Sequence, residues 1–143
     1  MQTILVPISE NAERASRIEE AVKRVPFDRE NVRAVVLNVF EEFEVESTQW
    51  SDVSSADFYD EEFPEVPAEA AANLEDAGFT VDVRREHGDP SEVILDVADE
   101  LDADSIVMAG RERSPVGKAL FGSTIQAVIL DADAPVVVGT SAD

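Results

Sequence analysis

Apolar positions in this chain follow two alternating rhythms. Residues 3–8 read TILVPI, a continuous apolar run rich in β-branched side chains, which suits a strand buried on both faces. From 11 to 25 the rhythm becomes helical: Ala12, Ala15, Ile18, Ala21, Val22 and Val25 recur at the spacing of one face. Glu13, Arg14, Arg17, Glu20 and Arg24 take the other face, and Pro26 closes the helix. A second buried strand is expected at 33–40, carrying Ala34, Val35, Val36, Leu37 and Val39. Helix signals return near Pro67 and stop at Gly78, and 79–86 alternates as a more exposed strand. Asp89 then has the character of an N-cap, with Pro90 at the first helical position and Glu92 three residues after the cap. Val93, Ile94, Val97, Ala98 and Leu101 follow on one helical face. The pattern ends with a strand at 105–109, a helix at about 123–131 and a short strand at 135–139. Buried strands alternating with amphipathic helices imply an α/β domain whose parallel sheet is covered on both sides.

The 143 residues suit one domain with its own core. The segment 41–66 interrupts the pattern. Between Ala34 and Val83 there is no basic residue but there are fourteen acidic ones, and 47–62 lacks clean periodicity. It reads as a long acidic, partly mobile excursion after the second strand, whose Trp50, Phe58, Tyr59 and Phe63 either pack on the domain or face a partner.

Charge narrows the possible partners. With 32 acidic and 11 basic residues the formal net charge is −21, which argues against binding nucleic acid or an anionic membrane. No apolar stretch approaches the roughly 20 residues that span a bilayer. Met1 leads almost directly into the first strand with no signal-type segment, which points to a cytoplasmic protein. The absence of cysteine and the single histidine, His87, exclude thiolate chemistry and a His-rich metal centre. Lysine occurs only at 23 and 118, while acids are spread over the whole chain. Such a surface resembles those of proteins from cells with molar salt inside, where a Debye length of about 3 Å screens self-repulsion.

Against this background the stretch after the fourth strand stands out. Ile106–Val107–Met108–Ala109 ends in Gly110, and RERSPVGKALFGST follows. Three of the eleven basic residues, Arg111, Arg113 and Lys118, fall within eight positions, ahead of Gly122, Ser123 and Thr124 at a helix start. Glycines permit close backbone approach, helix-start N–H groups point outward and cations add attraction, so an anion is the expected ligand. Solvated cations pairing with the acidic surface, glycines at a strand exit, and Ser123 and Thr124 serving as helix caps form the alternative. A P-loop is excluded: six residues instead of four separate Gly110 from Gly117, and Ala119 follows Lys118 where Ser or Thr is needed. His87 lacks a ligating or catalytic companion, and Asp89 and Glu92 have capping roles, so no acid–base pair is assigned to them.

With these pieces in view, the chain resembles the universal stress protein family over nearly its full length. The matching pieces are ILVPI, VVLNVF, GDPSEVILDVADELDADSIVMAGR and GKALFGSTIQAVILDADAPVVVG, and the GDP–helix–ADSIVM–G…GS order is the specific part. The resemblance implies a nucleotide-binding α-hydrolase-like fold: a doubly wound five-stranded parallel sheet of order 3-2-1-4-5, commonly dimeric through its last strand, here from Pro135 to Gly139. Its strands one and four meet at the topological switch point, where ligands bind beyond the strand ends. ATP-binding relatives resemble a pattern of glycine, two residues, glycine, nine residues, then glycine and Ser/Thr, with an aspartate ending the first strand. Here Gly110 and the Gly122–Ser123 pair match, Arg113 replaces the middle glycine, the interval is one residue short, and Ser9 replaces the aspartate. An arginine adds a cation but also a Cβ, and Ser9 offers a hydroxyl in place of a carboxylate.

The resulting expectation is a stress-response regulatory or sensory module, not an enzyme, that binds ATP, ADP or another phosphorylated ligand, with or without Mg²⁺. Ser9 and Val39 would face base and ribose, with Pro7 and Ile8 also in the ligand site; Gly110, Arg111, Arg113, Gly117, Gly122, Ser123 and Thr124 would hold phosphates. The alternative is a nucleotide-free dimer that acts through protein partners recognised by 41–66. The acidic surface generates one expectation of its own. Thermal unfolding followed at low and at molar KCl should show stability rising with salt; equal stability in both would remove the halophilic reading.

Overall fold

Strand β1 (Gln2–Pro7) lies at the centre of a five-stranded sheet in the computed structural model, which describes residues 1–40, 64–110 and 122–139. The chain continues through α1 (Ala12–Arg24), a 3-10 turn at Arg29–Asn31, β2 (Val32–Phe40), α2 (Glu65–Asp76), β3 (Thr80–His87), α3 (Pro90–Leu101), β4 (Ser105–Ala109), α4 (Ser123–Asp131) and β5 (Val136–Gly139). The strand order is β3-β2-β1-β4-β5, and every neighbouring pair is parallel. The expected doubly wound sheet of order 3-2-1-4-5 is therefore what forms.

The period-two geometry of the strands divides the core into two layers. Ile4, Val6, Ala34, Val36, Val107 and Ala109 face α1 and α2, where they meet Ala15, Ile18, Val22, Ala70 and Leu74. The intervening Leu5, Val35, Leu37, Ile106 and Met108 face α3 and α4, against Ile94, Val97, Ile125 and Val128. Ile4, Leu5 and Val6 are all buried in consecutive positions, which is why the first strand reads as a continuous apolar run and not as an alternation. β3 lies at an edge and keeps Thr80, Asp82 and Val83 exposed, matching its weaker hydrophobic pattern.

Local chemistry sets the helix ends. Asn11 caps α1 by accepting from the Arg14 N–H at 2.9 Å, and Asp89 caps α3 by accepting from the Glu92 N–H at 3.2 Å. The Ser91 hydroxyl and the Glu92 amide together hold the Asp89 carboxyl below its ordinary value. Its capping contribution is present at neutral pH and is lost only as the medium is acidified through that lowered value. Helix α2 begins earlier than Pro67: Pro64 is its N-cap, so Glu65 and Val66 belong to the helix and not to the preceding excursion. Pro67 is tolerated there because the first-turn N–H groups have no intrahelical partner to lose. Residues 41–63, with Trp50, Phe58, Tyr59 and Phe63, lie outside the described residues.

A close approach locks the β5 edge to α1. A Cβ added at Gly139 would lie 2.8 Å from Ala21 Cβ and 3.3 Å from the Arg17 carbonyl oxygen. Neither atom sits at the end of a flexible side chain, so the strand or the helix must shift. Gly139→Ala should lower stability by about 1–3 kcal/mol in chemical unfolding, the usual penalty of overpacking; an unchanged midpoint would show that the contact yields freely.

Candidate functional site

Two chain paths diverge at the C-terminal rim of the sheet. From β1 the chain enters α1 and returns to β2 on one side; from β4 it enters α4 and returns to β5 on the other. β1 and β4 are nevertheless direct neighbours, with Leu5 aligned to Ile106. Loops leaving adjacent strands in opposite directions leave a crevice above the strand ends.

A cleft of about 180 Å³ occupies that crevice. Its floor is apolar, built from the strand ends Pro7, Ile8, Leu37, Val39, Met108 and Ala109, and Ile18, Pro90, Ile94 and Ile125 close its sides. Among the described residues, Ser9, Arg14 and Thr124 are the polar side chains that line it, and Arg14 is the charged one. The Ser9 hydroxyl oxygen accepts from the Asn11 N–H at 3.3 Å, which ties the post-β1 loop to the α1 cap.

The strand exits are anchored from behind. Gly110 donates its N–H to the Gly139 carbonyl at 2.8 Å, and its own carbonyl accepts from the Arg17 guanidinium at 2.8 Å. Ile8 donates to the Leu37 carbonyl at 2.8 Å and accepts from buried Asn38 Nδ2 at 3.1 Å. Asn38 Oδ1 is satisfied by Arg85 Nε at 3.2 Å, and that guanidinium stacks over Phe40 at 4.4 Å. Both loops therefore leave the sheet from peptides whose orientation is fixed by hydrogen bonds, and the buried amide is compensated at both ends.

Of the residues anticipated from sequence, Pro7, Ile8, Ser9, Val39 and Thr124 line the cleft. Gly110 directly follows the lining residue Ala109, and Gly122 and Ser123 sit at the start of α4 beside Thr124 without lining the cleft themselves. Arg111, Arg113 and Gly117, with neighbouring Lys118, lie outside the described residues. One capping assignment is corrected. Gly122 is the N-cap of α4, with no side-chain cap bond, so Ser123 and Thr124 are its first helical residues and not its caps. Extended φ and ψ at Gly122 (−71° and 167°) give it the backbone of an N-cap, and a glycine brings no oxygen to occupy the first N–H groups.

Arg14 and Arg17 are also corrected. Helical spacing assigned both to the solvent face of α1, yet Arg14 lines the cleft and Arg17 reaches the β4 exit. The first two turns of α1 stand at the sheet rim, where the outward side of the helix overlooks the crevice rather than bulk water. Asn38 is a further anchoring residue, and the signal for it in the sequence is a lone amide inside VVLNVF. His87 packs its ring against Phe40, with centroids 5.8 Å apart. Arg84 binds both carboxylate oxygens of Glu100 and pairs with Glu86 at 2.8 Å, away from the cleft. Glu100 is held below its ordinary pKa chiefly by that hydrogen bond, with Coulomb attraction to Arg84 adding to it. Among the described residues no group of three or more His, Asp or Glu side chains is placed to hold a metal ion, and no helix is long and apolar enough to cross a membrane.

A covered parallel sheet with an apolar cleft at its switch point defines an α/β domain of the doubly wound class. The chain belongs to the universal stress protein family, whose sequence model matches residues 1–139. A universal stress protein of Mycolicibacterium smegmatis is 39% identical over 67 residues, 46% of this chain and 52% of that protein. The chain spans about half the length of the curated relatives it matches. In three dimensions it is similar to hypothetical protein MJ0577, with a TM-score of 0.77, 25% identity, and coverage of 99% of this chain and 97% of the other. It shares its fold with the universal stress protein of Archaeoglobus fulgidus solved in complex with dAMP, with a TM-score of 0.64, 22% identity, and coverage of 97% and 98%.

Proposed function

We propose that this protein is a stress-response regulatory module that binds an adenine nucleotide in the β1/β4 crevice and does not act as an enzyme. The observation that carries the reading is the cleft itself: apolar strand ends below, polar groups at the rim, and the uncapped start of α4 beside them. Its volume is below the ~300–1,000 Å³ of most ligand pockets, so the described walls suit the base and part of the ribose. Pro7, Ile8, Ser9 and Val39 would take that end. Phosphates would lie toward Gly110, Gly122, Ser123 and Thr124, where first-turn N–H groups of α4 without a side-chain cap favour an anion. The basic residues Arg111 and Arg113, and Gly117, belong to the same reading by their place in the sequence. Relatives of this fold solved with dAMP, cAMP and AMP support an adenine nucleotide as the ligand class.

Calorimetric titration of ATP and ADP in molar KCl, with and without Mg²⁺, tests this. Saturable binding, reduced by Arg113→Ala and Gly122→Val, is the expected result. No heat from either nucleotide on folded protein would favour the alternative, a nucleotide-free dimer whose partners recognise residues 41–66.

Self-association through β5 belongs to both readings and has its own support. Among the described residues nothing pairs with the outer edge of β5, and Val136, Val137 and Val138 are only half-buried there. On α4, which precedes this strand, Leu130 is 81% and Ile129 46% exposed. An open apolar edge of this kind is stabilised by pairing with a second copy. Light scattering in molar KCl should give the mass of a dimer, and Val137→Lys should shift it toward the monomer; a monomeric wild-type protein would overturn the assignment.

A further inference from the structure

The geometry points to Arg14 as a ligand-contacting residue that recognises a phosphate group from the α1 side of the crevice, opposite the α4 start; this inference rests on the nucleotide reading above. Arg14 is half-buried and lines the cleft. Its backbone N–H is used by the Asn11 cap, but its guanidinium makes no hydrogen bond or ion pair among the described residues. That is unusual for a partly withdrawn cation in a chain with 32 acidic residues. Its neighbours in sequence do not neutralise it. Glu10 and Glu13 are exposed and do not line the cleft, and Glu13 instead lies 3.9 Å from Arg17.

Among the described residues no carboxylate lines the cleft. Ser9 lines the cleft with a neutral hydroxyl, so it does not offset the cation. The described walls thus combine an apolar floor with a positive charge at the rim that no described carboxylate offsets. Such a site discriminates by charge: the apolar floor accepts an uncharged nucleoside as readily as a nucleotide, whereas the guanidinium interacts only with the phosphorylated one. Arg14 and Thr124 approach from helices on opposite faces of the sheet, so a phosphate leaving the cleft passes between a guanidinium fork and the α4 amides.

The test compares AMP with adenosine on the full chain at one fixed KCl concentration, for wild type, Arg14→Gln and Arg14→Lys, with thermal melts confirming that each variant folds. The wild type should bind AMP more tightly than adenosine. Arg14→Gln should weaken AMP binding about tenfold or more, as expected for loss of a charged hydrogen bond, and leave adenosine unchanged. Arg14→Lys should retain most of the AMP affinity. Unchanged AMP binding by Arg14→Gln overturns the inference while leaving the nucleotide reading intact. An equal loss for AMP and adenosine also overturns it, because the residue would then shape the cleft and not read the phosphate. Failure of the wild type to bind either ligand or ATP overturns both.

Discussion

Burial of β1 on both of its faces and along both of its edges is the constraint on which the rest of the molecule depends. Ile4, Leu5 and Val6 must each find an apolar partner, two toward α1 and α2 and one toward α3 and α4. β2 and β4 must both pair with the same short strand. Parallel neighbours require crossovers, and crossovers of one hand starting from opposite edges place helices on opposite faces. The crevice above β1 and β4 is therefore a by-product of covering a parallel sheet. It would exist in this fold whether or not a ligand used it.

What converts a crevice into a site is the way its rim is held. Gly110 is gripped from two directions, by the Gly139 carbonyl and by Arg17, so β4, β5 and α1 meet at one peptide. The tight approach of Gly139 to Ala21 belongs to the same junction. Asn38 plays the corresponding part under β1, joining the Ile8 carbonyl to Arg85 and, through its guanidinium, to Phe40. These are buried or half-buried polar contacts inside a predominantly apolar core, where an unmet amide costs about 1–3 kcal/mol. They keep the strand exits in place at the rim of the crevice. The same edge carries the side of β5 that has no strand partner among the described residues, so the proposed ligand loop and the proposed association surface share the Gly110–Gly139 hydrogen bond.

Much of the fold was legible because each element announces itself by local rules. The 105–109 strand and the 123–131 helix emerge with the ends that periodicity gave them, and the Asp89–Pro90 signal marks the start of α3. Boundaries slipped where local signals compete. Pro67 looks like a helix start, yet Pro64 is the cap, because proline fits anywhere in the first turn. Ser123 looks like a cap because of its hydroxyl, yet Gly122 holds that place by backbone conformation alone. At the cleft, Pro7, Ile8, Ser9 and Val39 are legible because a strand's end can be located without knowing what surrounds it, and Thr124 because a helix start can be located in the same way.

The sequence by itself determined the rhythm of strands and helices, the two-sided burial of the sheet, the strand order through resemblance to its family, and the concentration of cations after β4. Those properties depend on spacing along the chain and on side-chain polarity, which are local. Tertiary structure alone decided which polar side chains meet. A helical wheel treats Arg14, Arg17 and Arg24 as one solvent face, since it knows only angles about a single axis. Where α1 stands relative to the sheet rim turns Arg14 toward the cleft, sends Arg17 to the Gly110 carbonyl and leaves Arg24 exposed. That difference comes from packing Ile18 and Val22 onto β1 and β4, contacts between residues far apart in sequence that no spacing rule contains.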